Sequence, residues 1–95
     1  MNEKLKSESV DQLFKGILEL QTLDECYSFF EDLCTIPEIR SISQRLAVAV
    51  LLKKKETYQK IVEETGASTA TISRVNRALT YGADGYNRVL DGMEK

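Results

Sequence analysis

The chain has 95 residues, 42% of them hydrophobic and 29% charged, which is typical of one soluble globular domain with a modest core. It contains no run of about 18 apolar residues, and its polar start, MNEKLKSESVDQ, has no signal-peptide pattern. We therefore expect a cytoplasmic protein that does not span a membrane.

The net charge of −2 conceals an uneven distribution along the chain. Residues 1–39 contain three lysines and nine acidic residues, whereas residues 40–80 contain eight lysines or arginines and three glutamates. This asymmetry fits a molecule with two functional surfaces, but it also fits a mixed solvated surface. Composition alone leaves both interpretations open.

The sequence favours neither a disulfide nor a metal site. Cys26 and Cys34 are eight residues apart, which is about 12 Å along a helix and too far for an intrachain disulfide. The chain has no histidine and no C-x-x-C pattern, so we expect no bound metal. We interpret both cysteines as small buried apolar residues.

The first two predicted helices are amphipathic. Each has apolar residues spaced for one helix face, and Thr22 opens a T-L-D-E capping box with Glu25 before the second. The two apolar sets are Val10, Leu13, Phe14, Ile17 and Leu18, then Cys26, Phe29, Phe30, Leu33 and Cys34.

A third helix is predicted from about Glu38 to Lys55, after the boundary marked by Pro37. Its stretch LAVAVLL, residues 46–52, is apolar on all sides, which requires a central position or a subunit interface. Three lysines, residues 53–55, suit the carboxyl end of a helix or a phosphate contact.

The segment that follows predicts two helices separated by a short turn. Thr57 is the expected N-cap of a helix that ends at Gly66, where glycine can adopt a positive φ. Ser68 is the expected N-cap of the next helix, which runs to about Tyr81 before Gly82. A last amphipathic helix is predicted over residues 83–95, to the end of the sequence. The fold class is therefore all-α, with about six helices.

Two helices joined by a three-residue glycine-containing turn are typical of a helix-turn-helix. Helical geometry places Ile72, Val75 and Leu79 on one inner stripe, and Ala70, Ser73, Arg74 and Arg77 on the opposite side. Short side chains at positions 68–71 would let the helix start approach a DNA major groove, with charge from Lys60, Arg74 and Arg77. A helical bundle with ordinary N-cap chemistry would show a similar pattern.

The stretch QKIVEETGASTATISRVNRAL, residues 59–79, resembles the helix-turn-helix of the bacterial Trp repressor family. The most specific part is GASTATISR, residues 66–74, and the resemblance covers roughly residues 22–81. The aromatic second helix and ISQRLAVAVLL with its lysines are most similar to the YerC/YecD type of Trp-repressor-like proteins. The resemblance implies an intertwined homodimer whose two helix-turn-helix units bind the two halves of a pseudo-palindromic operator.

The resemblance also assigns roles to individual residues. Groove-facing positions correspond to Thr69, Ala70, Thr71 and Ser73, and phosphate-contacting positions of the preceding helix to Gln59 and Lys60. Adding Ser68 and Arg77 from the geometry above gives the complete predicted DNA-binding set.

Co-repressor positions of the family fall on Thr35, Arg45 and Arg74, all of the matching residue type. Two other pocket positions differ, because Val75 replaces a glycine and Ala78 a serine. The valine adds bulk where an indole would lie, and the alanine lacks a hydroxyl. We therefore expect no cofactor, tryptophan included.

We interpret residues 1–95 as one Trp-repressor-like domain, with dimerisation helices in 1–55, the helix-turn-helix in 57–81 and a C-terminal helix in 83–95. The leading hypothesis is a homodimeric, sequence-specific DNA-binding regulator, a repressor, whose partner is double-stranded DNA. The alternatives are a regulator that responds to a small anion at Arg45 and Arg74, and a protein-interaction adaptor that binds no DNA. No nucleophile and base can be assembled from the spacing, so we expect no catalytic residues and no enzyme.

Overall fold

The computed structural model describes residues 2–94, and all regular structure in that range is helical. After one 3₁₀ turn at Glu3–Leu5 come six α-helices, which confirms the predicted all-α class. They are α1 (Glu8–Ile17), α2 (Leu23–Leu33), α3 (Ile36–Lys53), α4 (Tyr58–Thr65), α5 (Thr69–Tyr81) and α6 (Gly85–Met93). None of the described helices is long and apolar enough to cross a membrane.

The chain divides into two compact units, one ending at Ile36 and one beginning at Pro37. In the first unit the predicted capping box is present: the Thr22 hydroxyl accepts from the Glu25 amide at 3.1 Å, and the Glu25 carboxylate accepts from the Thr22 amide at 3.2 Å. None of the described residues 2–36 is buried. The prediction that Cys26 and Cys34 are buried was therefore wrong, since both free thiols are only half-buried.

Helix α3 begins and ends two residues earlier than the sequence predicted. It starts at Ile36 because Pro37 is tolerated in a first turn, where the missing N–H would have no intrahelical acceptor. It ends at Lys53 because Lys55 adopts φ 65°, with Lys55 N–H donating to Leu52 C=O and Glu56 N–H to Leu51 C=O. That pair of bonds is a Schellman motif.

The second unit is organised around α3. Its buried core takes residues from α3, α4, α5, α6 and the turn between α4 and α5: Val48, Ala49, Ile61, Ala67, Ile72, Val75 and Leu90. Most of the all-apolar stretch of α3 therefore lies in or against this core, although Ala47 is exposed.

Asn87 of α6 connects the ends of three helices in this unit. Its amide donates to the Leu79 carbonyl near the end of α5 at 3.2 Å and to the Asp84 carboxylate at 2.9 Å. Its oxygen accepts from Lys53 Nζ at 2.9 Å. The C-terminal part of α5 is thereby tied to both α3 and α6.

Candidate nucleic-acid interface

The turn between α4 and α5 has the geometry that the helix-turn-helix pattern predicts. Gly66 ends α4 in the left-handed region, with φ 73° and ψ 5°, where glycine has no steric penalty. Only Gly66, Ala67 and Ser68 separate the two helices. We refer to residues 58–81, from the start of α4 to the end of α5, as the reading head.

Side chains from both ends stabilise this turn. The Thr65 hydroxyl donates to the Ile61 carbonyl at 2.7 Å and accepts from the Ala67 amide at 3.1 Å. From α3, Gln44 Nε2 donates to the Thr65 carbonyl at 3.1 Å. Sequence reasoning missed Gln44, because its contact partner lies 21 residues away and no local pattern marks such a pair.

Helix α5 has the two faces that its period predicts. Ile72 and Val75 are 0% and 2% exposed, and Leu79 packs against the same core. On the other side, the predicted DNA-contacting residues of α5 are exposed, apart from Thr71, which is half-buried. The exposed set is Thr69, Ala70, Ser73 and Arg77, and Arg74 is exposed as well.

The start of α5 is rigidly capped. Ser68 Oγ accepts from the Thr71 amide and donates to the Thr71 hydroxyl, both at 3.1 Å. These two hydroxyls therefore serve the helix start itself, whereas Thr69 and Ser73 present theirs to solvent. The first residues of the helix, Thr69, Ala70 and Thr71, all have short side chains, and the amide end of a helix favours anionic groups.

The charge around this surface is positive. Helix α5 contains two arginines and no acidic residue, and neither arginine forms an ion pair within the part of the chain that the structure describes. On α4, Gln59 is exposed, while Lys60 Nζ lies 3.4 Å from a Glu56 oxygen and 3.9 Å from a Glu64 oxygen. Exposed pairs of this kind are worth at most about 1 kcal/mol, so Lys60 can exchange them for another anion.

Arg45 and Arg74, predicted as a possible ligand pair, line one cavity of about 300 Å³ in the second unit. Arg74 is thus exposed, as helical geometry requires, and also borders the cavity, as the family resemblance implies. No acidic residue lines it, and Arg45 donates to the Ser41 hydroxyl at 3.3 Å. The lining residues are Ser41, Gln44, Arg45, Thr71, Arg74, Val75, Ala78 and Tyr86.

The remaining ligand candidates are distributed as follows. Thr35 lies before α3, in the first unit, and is exposed. Val75 and Ala78, the two positions that differ from the family pattern, both border the cavity. Ser41 and Tyr86 were not predicted as lining residues, because membership in this cavity depends on how α3, α5 and α6 pack. Among residues 2–94 no cluster of acidic residues and cysteines could hold a metal ion.

The Trp repressor protein family matches residues 8–94 of this chain. A Bacillus subtilis (strain 168) protein described as the uncharacterized protein YerC is 57% identical over 93 residues, which are 98% of this chain and 89% of that protein. The solved structure of a TrpR-like protein from Eubacterium eligens ATCC 27750 has a TM-score of 0.93 and 60% identity, covering 98% of this chain and 96% of that one. A structure from Staphylococcus aureus has a TM-score of 0.92 and 54% identity, covering 97% and 92%.

Proposed function

Because this chain belongs to the Trp repressor family, a family of regulators and not of enzymes, we propose that it is a sequence-specific DNA-binding repressor that acts as a homodimer. The resemblance identified from residues 59–79 is confirmed by this membership. The observation that carries the proposal is the exposed start of α5, where short side chains surround free backbone amides on a helix without acidic residues.

The geometry of α5 supports insertion into a major groove. The groove is about 12 Å wide and accepts one helix if the inserted end carries no bulky side chains. Ala70 is exposed and small, so the α5 backbone can approach base edges there. Thr69 and Ser73 offer hydroxyls to bases or phosphates, and Arg77 adds a charge that attracts the phosphate backbone.

Exposed apolar surface supports the homodimer. The first unit consists of amphipathic helices, and several of its large apolar side chains are exposed, among them Leu18 at 80% and Leu23 at 73%. Large exposed apolar patches are typical of interaction sites. A second copy of the chain would cover these side chains and would supply the two-fold arrangement that a pseudo-palindromic operator requires.

Ala70→Glu tests the reading head directly. A carboxylate at this position faces phosphates and base edges, so we expect operator affinity to fall at least tenfold while sedimentation shows an unchanged dimer. Gln12→Glu adds the same charge to α1, and Ala70→Ser keeps a short side chain; both should bind within about twofold of wild type. Unaltered binding by Ala70→Glu contradicts the assignment. Absence of any DNA affinity in the wild type at moderate salt favours an interaction adaptor.

The cavity between Arg45 and Arg74 favours a second candidate function, in which a small anion controls the same dimer. The two guanidinium groups lack an acidic partner in the cavity and could bind a carboxylate or phosphate. Both α3 and α5 line the cavity, so a ligand there would contact the recognition helix and the helix beneath it. Val75 and Ala78 argue against tryptophan as that ligand.

Thermal unfolding in the presence of tryptophan, inorganic phosphate and a set of small carboxylates tests this candidate. An effector must raise the unfolding midpoint of the wild type. It must also change the DNA affinity by the same factor by which DNA changes the affinity for the effector. Arg45→Ala should abolish both effects. Tryptophan should have neither, and a midpoint shift that survives in Arg45→Ala would place the ligand elsewhere.

A further inference from the structure

We propose that Gln44 is a positioning residue of the reading head, holding the α4–α5 turn at a fixed orientation on α3. The inference rests on the proposed DNA-binding function and adds to it a residue outside the reading head. Family resemblance assigned roles to residues of α3, α4 and α5, but neither it nor helical periodicity assigned one to Gln44.

The contact joins two distant parts of the chain at a sensitive place. Gln44 is half-buried on α3, and its Nε2 lies 3.1 Å from the carbonyl oxygen of Thr65, the last residue of α4. Carbonyls in the last turn of a helix lack intrahelical partners. The amide of Gln44 therefore supplies a hydrogen bond that α4 itself cannot make, immediately before the left-handed Gly66.

The other polar contacts of the turn hold it together internally. The side chains of Thr65 and Ser68 bond to Ile61, Ala67 and Thr71, all within the reading head. The bond from Gln44 instead connects this preformed turn to α3. The turn is thus a locally stable unit with a polar anchor on a different helix.

Apolar packing alone would hold the reading head less specifically. Ile61 and Ile72 are fully buried and pack against the core, but burial of apolar surface is non-directional. A hydrogen bond weakens steeply when its angle departs from linearity. The Gln44 bond therefore limits rotation of α4 and the turn on the core in a way that the buried isoleucines do not.

This restraint affects base contacts more than phosphate contacts. Base readout depends on hydrogen bonds whose donor and acceptor must be positioned within a few tenths of an ångström. Phosphate attraction is longer in range and tolerates small rotations. Losing the anchor should therefore reduce affinity for a preferred sequence while leaving affinity for unrelated DNA nearly intact.

The test compares Gln44→Met with Ser43→Ala in the full chain. Methionine keeps the length of the side chain without its donor, whereas Ser43 is exposed and its hydroxyl bonds only to the Arg40 carbonyl of its own helix. Affinities are measured over a salt series for the duplex that the wild type selects from random DNA, and for a scrambled duplex of equal length.

We expect Gln44→Met to bind the selected duplex about ten- to hundredfold more weakly, because the dimer loses one neutral hydrogen bond in each subunit, each worth about three- to tenfold. Its affinity for the scrambled duplex and its salt dependence should remain within twofold of wild type, and Ser43→Ala should match wild type in both. Equal weakening on both duplexes, or no weakening on either, overturns the proposal.

Hydrogen exchange tests, without DNA, whether Gln44 holds the α4–α5 turn in place. The Gly66 amide donates to the Val62 carbonyl at 2.9 Å and the Ala67 amide to the Thr65 hydroxyl, so both report on the turn. In Gln44→Met they should exchange about three- to tenfold faster, while the Val75 amide in the buried centre of α5 is unchanged. In Gln44→Asn the side chain is one methylene shorter and cannot reach the Thr65 carbonyl, so the same two amides should exchange faster in this variant too. Unchanged exchange at Gly66 and Ala67 overturns the proposal, whether or not the wild type binds a specific DNA sequence. If the wild type selects no sequence, the DNA-binding function is refuted separately.

Discussion

Lys55 and Gly66 occupy the same left-handed backbone region at the ends of α3 and α4, with φ values of 65° and 73°. Glycine reaches this region freely, and the sequence therefore predicts the end of α4 correctly. A residue with a Cβ is disfavoured there by roughly 1–2 kcal/mol. Nothing in a run of three lysines indicates which one ends the helix, and this is why the predicted end of α3 lies two residues too late.

Lys55→Gly should stabilise the protein. It removes the steric cost of the left-handed conformation, partly offset by the greater chain entropy of glycine when unfolded, so we expect a gain of about 0.5–1 kcal/mol in the free energy of unfolding. Chemical denaturation measures it. Lys54→Gly is the matched control, because it removes the same charge at a position without positive φ. If Lys55→Gly is no more stable than Lys54→Gly, the left-handed conformation of Lys55 carries no steric cost and the prediction is wrong.

Some residues of the site could be predicted from the sequence, and others could not. Exposure of Ala70, Ser73 and Arg77 follows from their positions on a single helix, so local periodicity is sufficient to predict it. The contact of Gln44 with Thr65 and the presence of Tyr86 in the same cavity as Arg45 depend on packing between helices. Such pairs carry no signal in local spacing.

At the scale of elements, α5 is the helix whose two faces have separate roles. Ile72 and Val75 fix it to the core, while the opposite face presents short side chains and arginines. The predicted bounds of α5 agree with the structure, because both ends carry strong local signals: a Ser68 cap and a glycine at 82. Helix α3 has weaker end signals and was predicted less accurately.

Arg77→Ala should reduce the salt dependence of DNA binding. If Arg77 contacts one phosphate in each subunit, the slope of log affinity against log salt should fall by about 0.9 per lost contact, or about 1.8 for the dimer. Arg88→Ala removes the same charge from an exposed position on α6 and should leave the slope unchanged. A slope that Arg77→Ala does not alter would mean that Arg77 contacts no phosphate.

At the scale of the whole molecule, the two units of the chain differ in charge and in completeness. Residues 1–39 are acidic, and the residues that follow are basic. None of the described residues 2–36 is buried, whereas the second unit has a core of its own. Sequence patterns predicted the helices of both units. Which apolar side chains of the first unit are exposed could not be predicted, because periodicity indicates that a face is apolar without indicating what covers it.

The central claim is that the protein reads a DNA sequence as a dimer, and selection of bound duplexes from random DNA tests it most directly. A dimer of reading heads should enrich two inverted half-sites whose centres are about one helical turn apart, or a multiple of it. The Ala70→Glu protein, carried through the same rounds, should enrich none. Failure of the wild type to enrich any sequence, or enrichment of a single half-site without a partner, would contradict the account.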